Sequence, residues 1–194
     1  DPWTDQREGQ SFARDLTQAA GDSKFKIADL DAVQLGVRRP DDGITDLALM
    51  QIAHHFQAFQ RKLFQRLAIN SLLFARPAEP YRSLIDYVAR RAARAIRPGD
   101  TETRTFMHEI PVIHAFDGDA MITALKSRKG VVIPGKGIVA WGTVSPEQAF
   151  VSFSSVCFAC FVKFFADYLT HLRAGRISEE ERRIFRGAVD RLSS

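Results

Sequence analysis

The sequence predicts a layered α/β or α+β domain, and three observations carry that expectation. Short β-forming runs alternate with helical stretches of very different length, a pattern foreign to an all-helical bundle. Two of the runs, Gly130–Ile133 and Ile138–Trp141, are divided only by a tight turn at Gly135-Lys136-Gly137. A long Phe-rich helix over 146–173 follows at once and is too apolar to stand free, so it must lie across a sheet face.

The elements follow in chain order. Asp1–Ser23 is polar and weakly patterned and reads as an arm or a frayed helix. Lys24–Val37 alternates Phe25, Ile27, Leu30, Val33 and Leu35 well enough for a strand pair. Arg38–Gly43 is turn-rich, punctuated by Pro40 and Gly43. From Thr45 or Asp46 to about Phe74 an apolar stripe of Leu49, Ile52, Phe56, Phe59, Leu63 and Leu67 predicts one long helix, broken by the prolines of Arg76–Pro80. Glu79–Ile96 reads as a second helix, ended by Arg97-Pro98-Gly99-Asp100. Thr101–Ile113 alternates like a strand, and Asp117–Lys129 reads as a short helix. Ser145-Pro146-Glu147-Gln148 is a strong helix start: Ser145 can accept from the Gln148 N–H, Gln148 can reach back, and Pro146 suits the first helical position. Gly175 is the expected stop. Ser178 to Glu181 forms a second capping box, opening a last helix to Leu192.

Composition bounds the function. With 194 residues, 45% apolar and 26% charged, the chain suits one soluble domain able to bury a core. The net charge of +4 and pI near 9.3 are mild, and a solvated basic surface accounts for them better than a nucleic-acid site. The chain begins at Asp1 rather than Met and shows no signal peptide, which reads as a trimmed start. The best membrane candidate, Ala149–Val162, falls short of the ~20 apolar residues a span needs, and Ser152, Ser154 and Ser155 interrupt it. The only cysteines, Cys157 and Cys160, share that helix, which argues against a secreted disulfide scaffold and for the cytoplasm. Cys157-Phe158-Ala159-Cys160 is formally C-x-x-C, but a redox pair needs a helix N-terminus, so small core residues are the better reading.

The turn Gly135-Lys136-Gly137 leads the candidates for chemistry. Its glycines permit positive φ and close approach of a backbone or ligand, and its lysine suits an anion rather than a divalent cation. The plain alternative is a hairpin lysine pointing into water. His108 and His114 are weaker catalytic candidates. On an extended strand their side chains stand ~20 Å apart, too far to share a metal, and structural roles compete for both. His54 and His55, adjacent on a helix, point ~100° apart and read as core-edge packing. No phosphate-binding glycine loop and no serine-hydrolase turn is present in the sequence.

The order of elements from Glu109 to Leu172 resembles the C-terminal half of the class II aldolase/adducin family. An Ile-Pro-Val segment is followed by a small helix, the strand–Gly-x-Gly–strand hairpin, Gly142-Thr143, and Glu147-Gln148-Ala149-Phe150. Upstream, Lys24–Asp31 is similar to the family's strand ending in Asp-Leu-Asp. The resemblance implies a three-layer α/β/α domain with a central, mainly antiparallel sheet, filling 24–194 after an arm at 1–23. In that family the turn's histidine is the third zinc ligand, and Lys136 takes its position here. By spacing, the family's His-x-His pair falls near residues 66–72, where this chain reads Arg66 to Leu72 without a histidine. The family's Ser-Ser-Glu acid has no match beyond Asp41, Asp42 and Asp46, and its Gly-Gly-Asn phosphate loop is not visible.

The expectation is an aldolase-like protein without metal or cofactor that binds a small phosphorylated or carboxylated, sugar-like metabolite at Lys136. Lyase chemistry is open to it, and the resemblance implies a homo-oligomer. The alternatives are a non-enzymatic interaction module on the same fold, and a nucleic-acid binder using Arg82, Arg90, Arg91, Arg94 and Arg97.

Overall fold

A computed structural model describes residues 30–38, 44–48 and 51–192, with side chains described for 59–191. The N-terminal arm, the first part of the predicted strand pair and most of the Arg38–Gly43 turn lie outside these residues, as do the side chains of His54 and His55. The elements in order are β1 (Leu30–Arg38), β2 (Ile44–Ala48), α1 (Gln51–Arg66), β3 (Ser71–Pro77), α2 (Tyr81–Arg91), β4 (Ala95–Ile96), α3 (Thr101–Met107), β5 (Ile110–Pro111), α4 (Gly118–Leu125), β6 (Gly130–Ile133), β7 (Gly137–Gly142), α5 (Pro146–Arg173) and α6 (Glu179–Leu192).

Among the described residues five strands form one sheet in the order β2-β1-β3-β7-β6, and every pairing in it is antiparallel. β4 and β5 make a separate two-stranded ladder, tied to β6 by a bridge from Val112 to Val132. The central strand β3 is paired on both sides and buried on both faces. Its alternate residues therefore feed two apolar clusters. Leu73 and Ala75, with Ile138 and Ala140 of β7, pack against α2 and α5 through Leu84, Val88, Phe150, Phe153 and Phe164. Leu72 and Phe74, with Val139, pack against α1 and α4 through Leu63, Phe64, Met121 and Leu125.

The fold corrects three expected elements. The single helix expected from Thr45 to Phe74 is a strand, a helix and a second strand, β2-α1-β3. Ser71-Leu-Leu-Phe-Ala is a short apolar run buried on both faces, and such runs carry no period to separate strand from helix. The strand expected over Thr101–Ile113 is mostly helix α3, started by Asp100, whose carboxylate accepts from the Thr103 N–H at 2.7 Å. The second helix stops at Arg91 rather than Ile96, because Ala95–Ile96 leaves to pair with β5.

The long helix begins and ends where expected, but its N-terminus closes differently. Ser145 makes no capping bond through its side chain. Gln148 instead reaches back so that its Oε1 accepts from the Thr143 and Val144 N–H groups at 2.6 and 3.1 Å. The Ser145 carbonyl in turn accepts from the Ser71 hydroxyl at 2.7 Å, which ties α5 to the start of β3. At the far end Gly175 adopts φ +65°, the left-handed stop. The second capping box forms as expected: Glu181 N–H donates to Ser178 Oγ at 3.1 Å, and Ser178 N–H donates to Glu181 Oε2 at 2.8 Å. α5 is long and apolar enough to cross a membrane, but half of its most apolar window is buried inside the protein. Its place against β3 and β7 makes it a core helix.

Candidate functional site

The β6–β7 connection is a Pro-Gly turn one residue earlier than the glycine pair suggests. Lys136 N–H donates to the Ile133 carbonyl at 2.9 Å, closing a turn over Ile133–Lys136 with Pro134 and Gly135 at its centre. Gly135 has φ +72°, the conformation a type II turn requires at that place. Gly137 is required for two reasons. Its φ is +145°, and a Cβ there would stand 2.6 Å from the Ala75 carbonyl oxygen and 2.9 Å from the Phe74 ring. The turn is thus pressed against the C-terminal end of β3, consistent with the register Ala75↔Ile138.

This contact forms a shallow cleft of about 200 Å³, lined by Arg76 and Pro77 of β3, Arg82, Ile85 and Asp86 of α2, and Gly135, Lys136 and Gly137 of the turn. Its enclosed part is only about 10 Å³, the room of a single water. Three cationic side chains and one carboxylate meet there. Asp86 Oδ1 accepts the Gly135 N–H at 2.8 Å. Burial raises the Asp86 carboxyl above its ordinary range, against the lowering pull of that N–H and of Arg90 and Arg82. Arg82 also holds Glu79, its Nε and Nη2 lying 3.1 and 2.9 Å from Oε1.

Lys136 is exposed and lines one side of this shallow cleft. Neither histidine lines this cleft. His108 is the exposed C-cap of α3 at φ 59°, and His114 is exposed in the bend before α4. Among the described residues no histidine lines the Lys136 cleft, so the structure does not bring the expected catalytic pair to the expected binding turn. Asp86 and Arg76 had no signal in the sequence: one sits mid-helix and the other at the end of an unrecognised strand.

The expected position of the zinc pair also moves. Residues 66–72 lead into the start of β3, where Ser71 pairs with Gly142, at the far end of β7 from Lys136. That separation is about five strand residues, or ~17 Å. The part of β3 that faces the turn is Phe74–Pro77, and it offers Arg76 where a converging ligand set would need imidazoles. Among the described residues no three His, Cys, Asp or Glu side chains gather as a metal site. The residues at this turn do not fit a zinc ion: guanidinium and ammonium groups repel a dication.

Other charged features are structural. A larger open hollow of about 990 Å³ lies over α6, lined by Glu179, Glu180, Arg183, Arg186, Gly187 and Asp190. All six belong to one helix and their charges are of both signs, so it is an exposed face without convergent groups. Cys157 and Cys160 are fully buried, and burial pushes both thiols up, Cys160 to about 12, which leaves them protonated and unreactive. Of the five arginines of the nucleic-acid alternative, Arg82, Arg90 and Arg97 pair with Glu79, Glu180 and Glu109, and Arg91 lies over the Tyr87 ring.

Comparison with known proteins places the fold. No family profile matches the chain, and no curated protein matches it by sequence. Solved structures do match. L-fuculose-1-phosphate aldolase from Thermus thermophilus superposes with a TM-score of 0.58 at 15% identity, over 82% of this chain and 97% of that one. YgbL from Klebsiella pneumoniae, a candidate aldolase/epimerase/decarboxylase, gives 0.60 at 13% identity, over 80% and 89%. L-fuculose 1-phosphate aldolase from Glaciozyma antarctica gives 0.52 at 13% identity, over 80% and 70%. At these identities the likeness is one of architecture: the chain has the class II aldolase-like fold.

Proposed function

We propose that this chain is an aldolase-like protein that binds a small phosphorylated or carboxylated, sugar-like ligand at the Gly135–Gly137 turn without zinc. The observation that carries the reading is the meeting of Arg76, Arg82 and Lys136 around one glycine-flanked turn. Phosphate and carboxylate oxygens suit such donors, and arginine in particular offers a planar fork to an oxyanion. The fold supports the reading because three of the matched structures are L-fuculose-1-phosphate aldolases, whose named substrate carries a phosphate. The domain would fill 24–194 as a three-layer α/β/α unit, cytoplasmic and homo-oligomeric. The cleft supplies binding first; lyase activity would be a property of the ligand once found, and neither His108 nor His114 belongs to the cleft's lining.

A thermal-shift screen against phosphorylated and carboxylated sugars tests this. A ligand at 100 times its Kd stabilises the native state by about 2.7 kcal/mol, a rise of roughly 5–10 °C for a chain of this size. K136A and R76A should abolish the shift. Stabilisation that survives both substitutions would move the site elsewhere. Elemental analysis of the purified protein should find zinc well below one per chain; stoichiometric zinc would overturn the metal-free reading. The second reading, an interaction module, draws on Leu169 and Leu172, one turn apart and both about half exposed at the end of α5. It expects no ligand and a stable partner contact that L169D breaks.

A further inference from the structure

The cleft contains its own anion. Asp86 accepts the Gly135 N–H at 2.8 Å and stands among Arg76, Arg82 and Lys136. The enclosed space left beside it admits a water but not an oxyanion. We infer that the Asp86 carboxylate is a built-in competitor: it occupies the place of the ligand's anionic group, and a ligand enters by displacing it or by meeting it protonated. The inference rests on the anion-binding reading above and adds its regulation.

The charged and titratable groups around Asp86 set the terms. On its own helix and the segment before it are Arg82, Arg90 and Glu79; across the cleft are Arg76 and Lys136; behind it on α5 is Cys160, whose thiol feels the Asp86 charge. Burial is the largest influence and, with Glu79, opposes the carboxylate, while the Gly135 N–H, Arg90 and Arg82 favour it. Two anions competing for one set of donors repel strongly in a partly desolvated site. Lowering the pH neutralises Asp86 and should admit an external anion, so affinity rises as pH falls. Isosteric Asp86→Asn keeps an acceptor for the Gly135 N–H but removes the charge, and should bind anions tightly at any pH. Asp86→Ala also frees the N–H.

Sulfate is the probe, because its charge is constant from about pH 5 to pH 8. Titrations of the full chain would follow the Gly135 and Lys136 amides by NMR. The expected result is that D86N and D86A bind sulfate at least about fivefold more tightly than wild type at about pH 7.5. Wild type should gain affinity as the pH is lowered while D86N stays level, and K136A should weaken binding in every background. Equal or weaker binding by both Asp86 variants, with K136A still impaired, would overturn the competitor and leave the anion site standing. Absence of saturable binding in wild type and both Asp86 variants alike would overturn the anion site itself. Binding by the variants alone supports both.

Discussion

At the scale of single residues, the two turn glycines look alike in sequence and differ in what they do. Gly135 needs only its positive φ, since a Cβ there would meet nothing within 4 Å. Gly137 needs positive φ and the space as well, because the Ala75 carbonyl lies where its Cβ would be. Gly135→Ala should therefore cost about 1–2 kcal/mol, the ordinary left-handed penalty. Gly137→Ala should cost more, about 2–4 kcal/mol, and should also move β3 away from the turn and disturb the cleft. Urea denaturation of the two variants measures the ranking, and equal costs would show that the close approach is relieved cheaply. The sequence offers both glycines, but only the pairing of β3 with β7 separates them.

Secondary-structure elements are held together by a few polar anchors set in a large apolar contact. α5 buries Phe150, Phe153 and Phe164, each worth roughly 1.5–3 kcal/mol of transfer free energy. Phe153→Ala should cost about 3–5 kcal/mol, whereas Leu172→Ala, on the exposed side, should stay within about 0.5 kcal/mol. α6 docks through Tyr168 and Phe185, stacked at 4.2 Å, and through Glu181. Burial alone would raise the Glu181 carboxyl. The Ser178 N–H and the His171 ring outweigh it and hold Glu181 at about 2 rather than 4.5. A depressed carboxyl stabilises the fold fully above its ordinary value of 4.5, and that contribution disappears as pH falls toward about 2. It amounts to on the order of 3 kcal/mol. Tyr87 behaves in the opposite sense: burial and the neighbouring Glu181 push its phenol up to about 12, so its contribution is complete below pH 10 and is lost as pH rises through 12. Wild type should therefore be more stable than Glu181→Gln at about pH 6, with the gap narrowing by about pH 3. A gap independent of pH would show that Glu181 acts through packing alone.

Across the whole molecule, several of the arginines that suggested a nucleic-acid surface are engaged within the protein. Arg82, Arg90 and Arg97 face carboxylates and Arg91 faces a ring, so the arginines of α2 do not form an open stripe. Fluorescence anisotropy with duplex DNA should show only weak binding, on the order of the 10⁻⁴–10⁻⁶ M of non-specific contacts, lost as salt rises. Tight, sequence-dependent binding would contradict this. Such exposed pairs add little stability, and Arg76 and Lys136 share the cleft at the turn with Asp86 and with the Glu79-paired Arg82.

Local signals along the chain were enough to establish the layered fold class, the β6–β7 hairpin, the extent of α5 and its glycine stop, and the capping box of α6. Each of these is written in neighbouring residues: turn formers, caps and an apolar run too long for a strand. Long-range packing alone makes 71–77 the central strand, because a segment buried on both faces has no periodicity to announce it. The sheet register likewise placed Arg76 and Asp86 beside Lys136, sent 66–72 to the opposite end of β7 and left His108 and His114 outside. A binding site depends on distances between residues far apart in the chain, and those distances are fixed by strand pairing and helix packing.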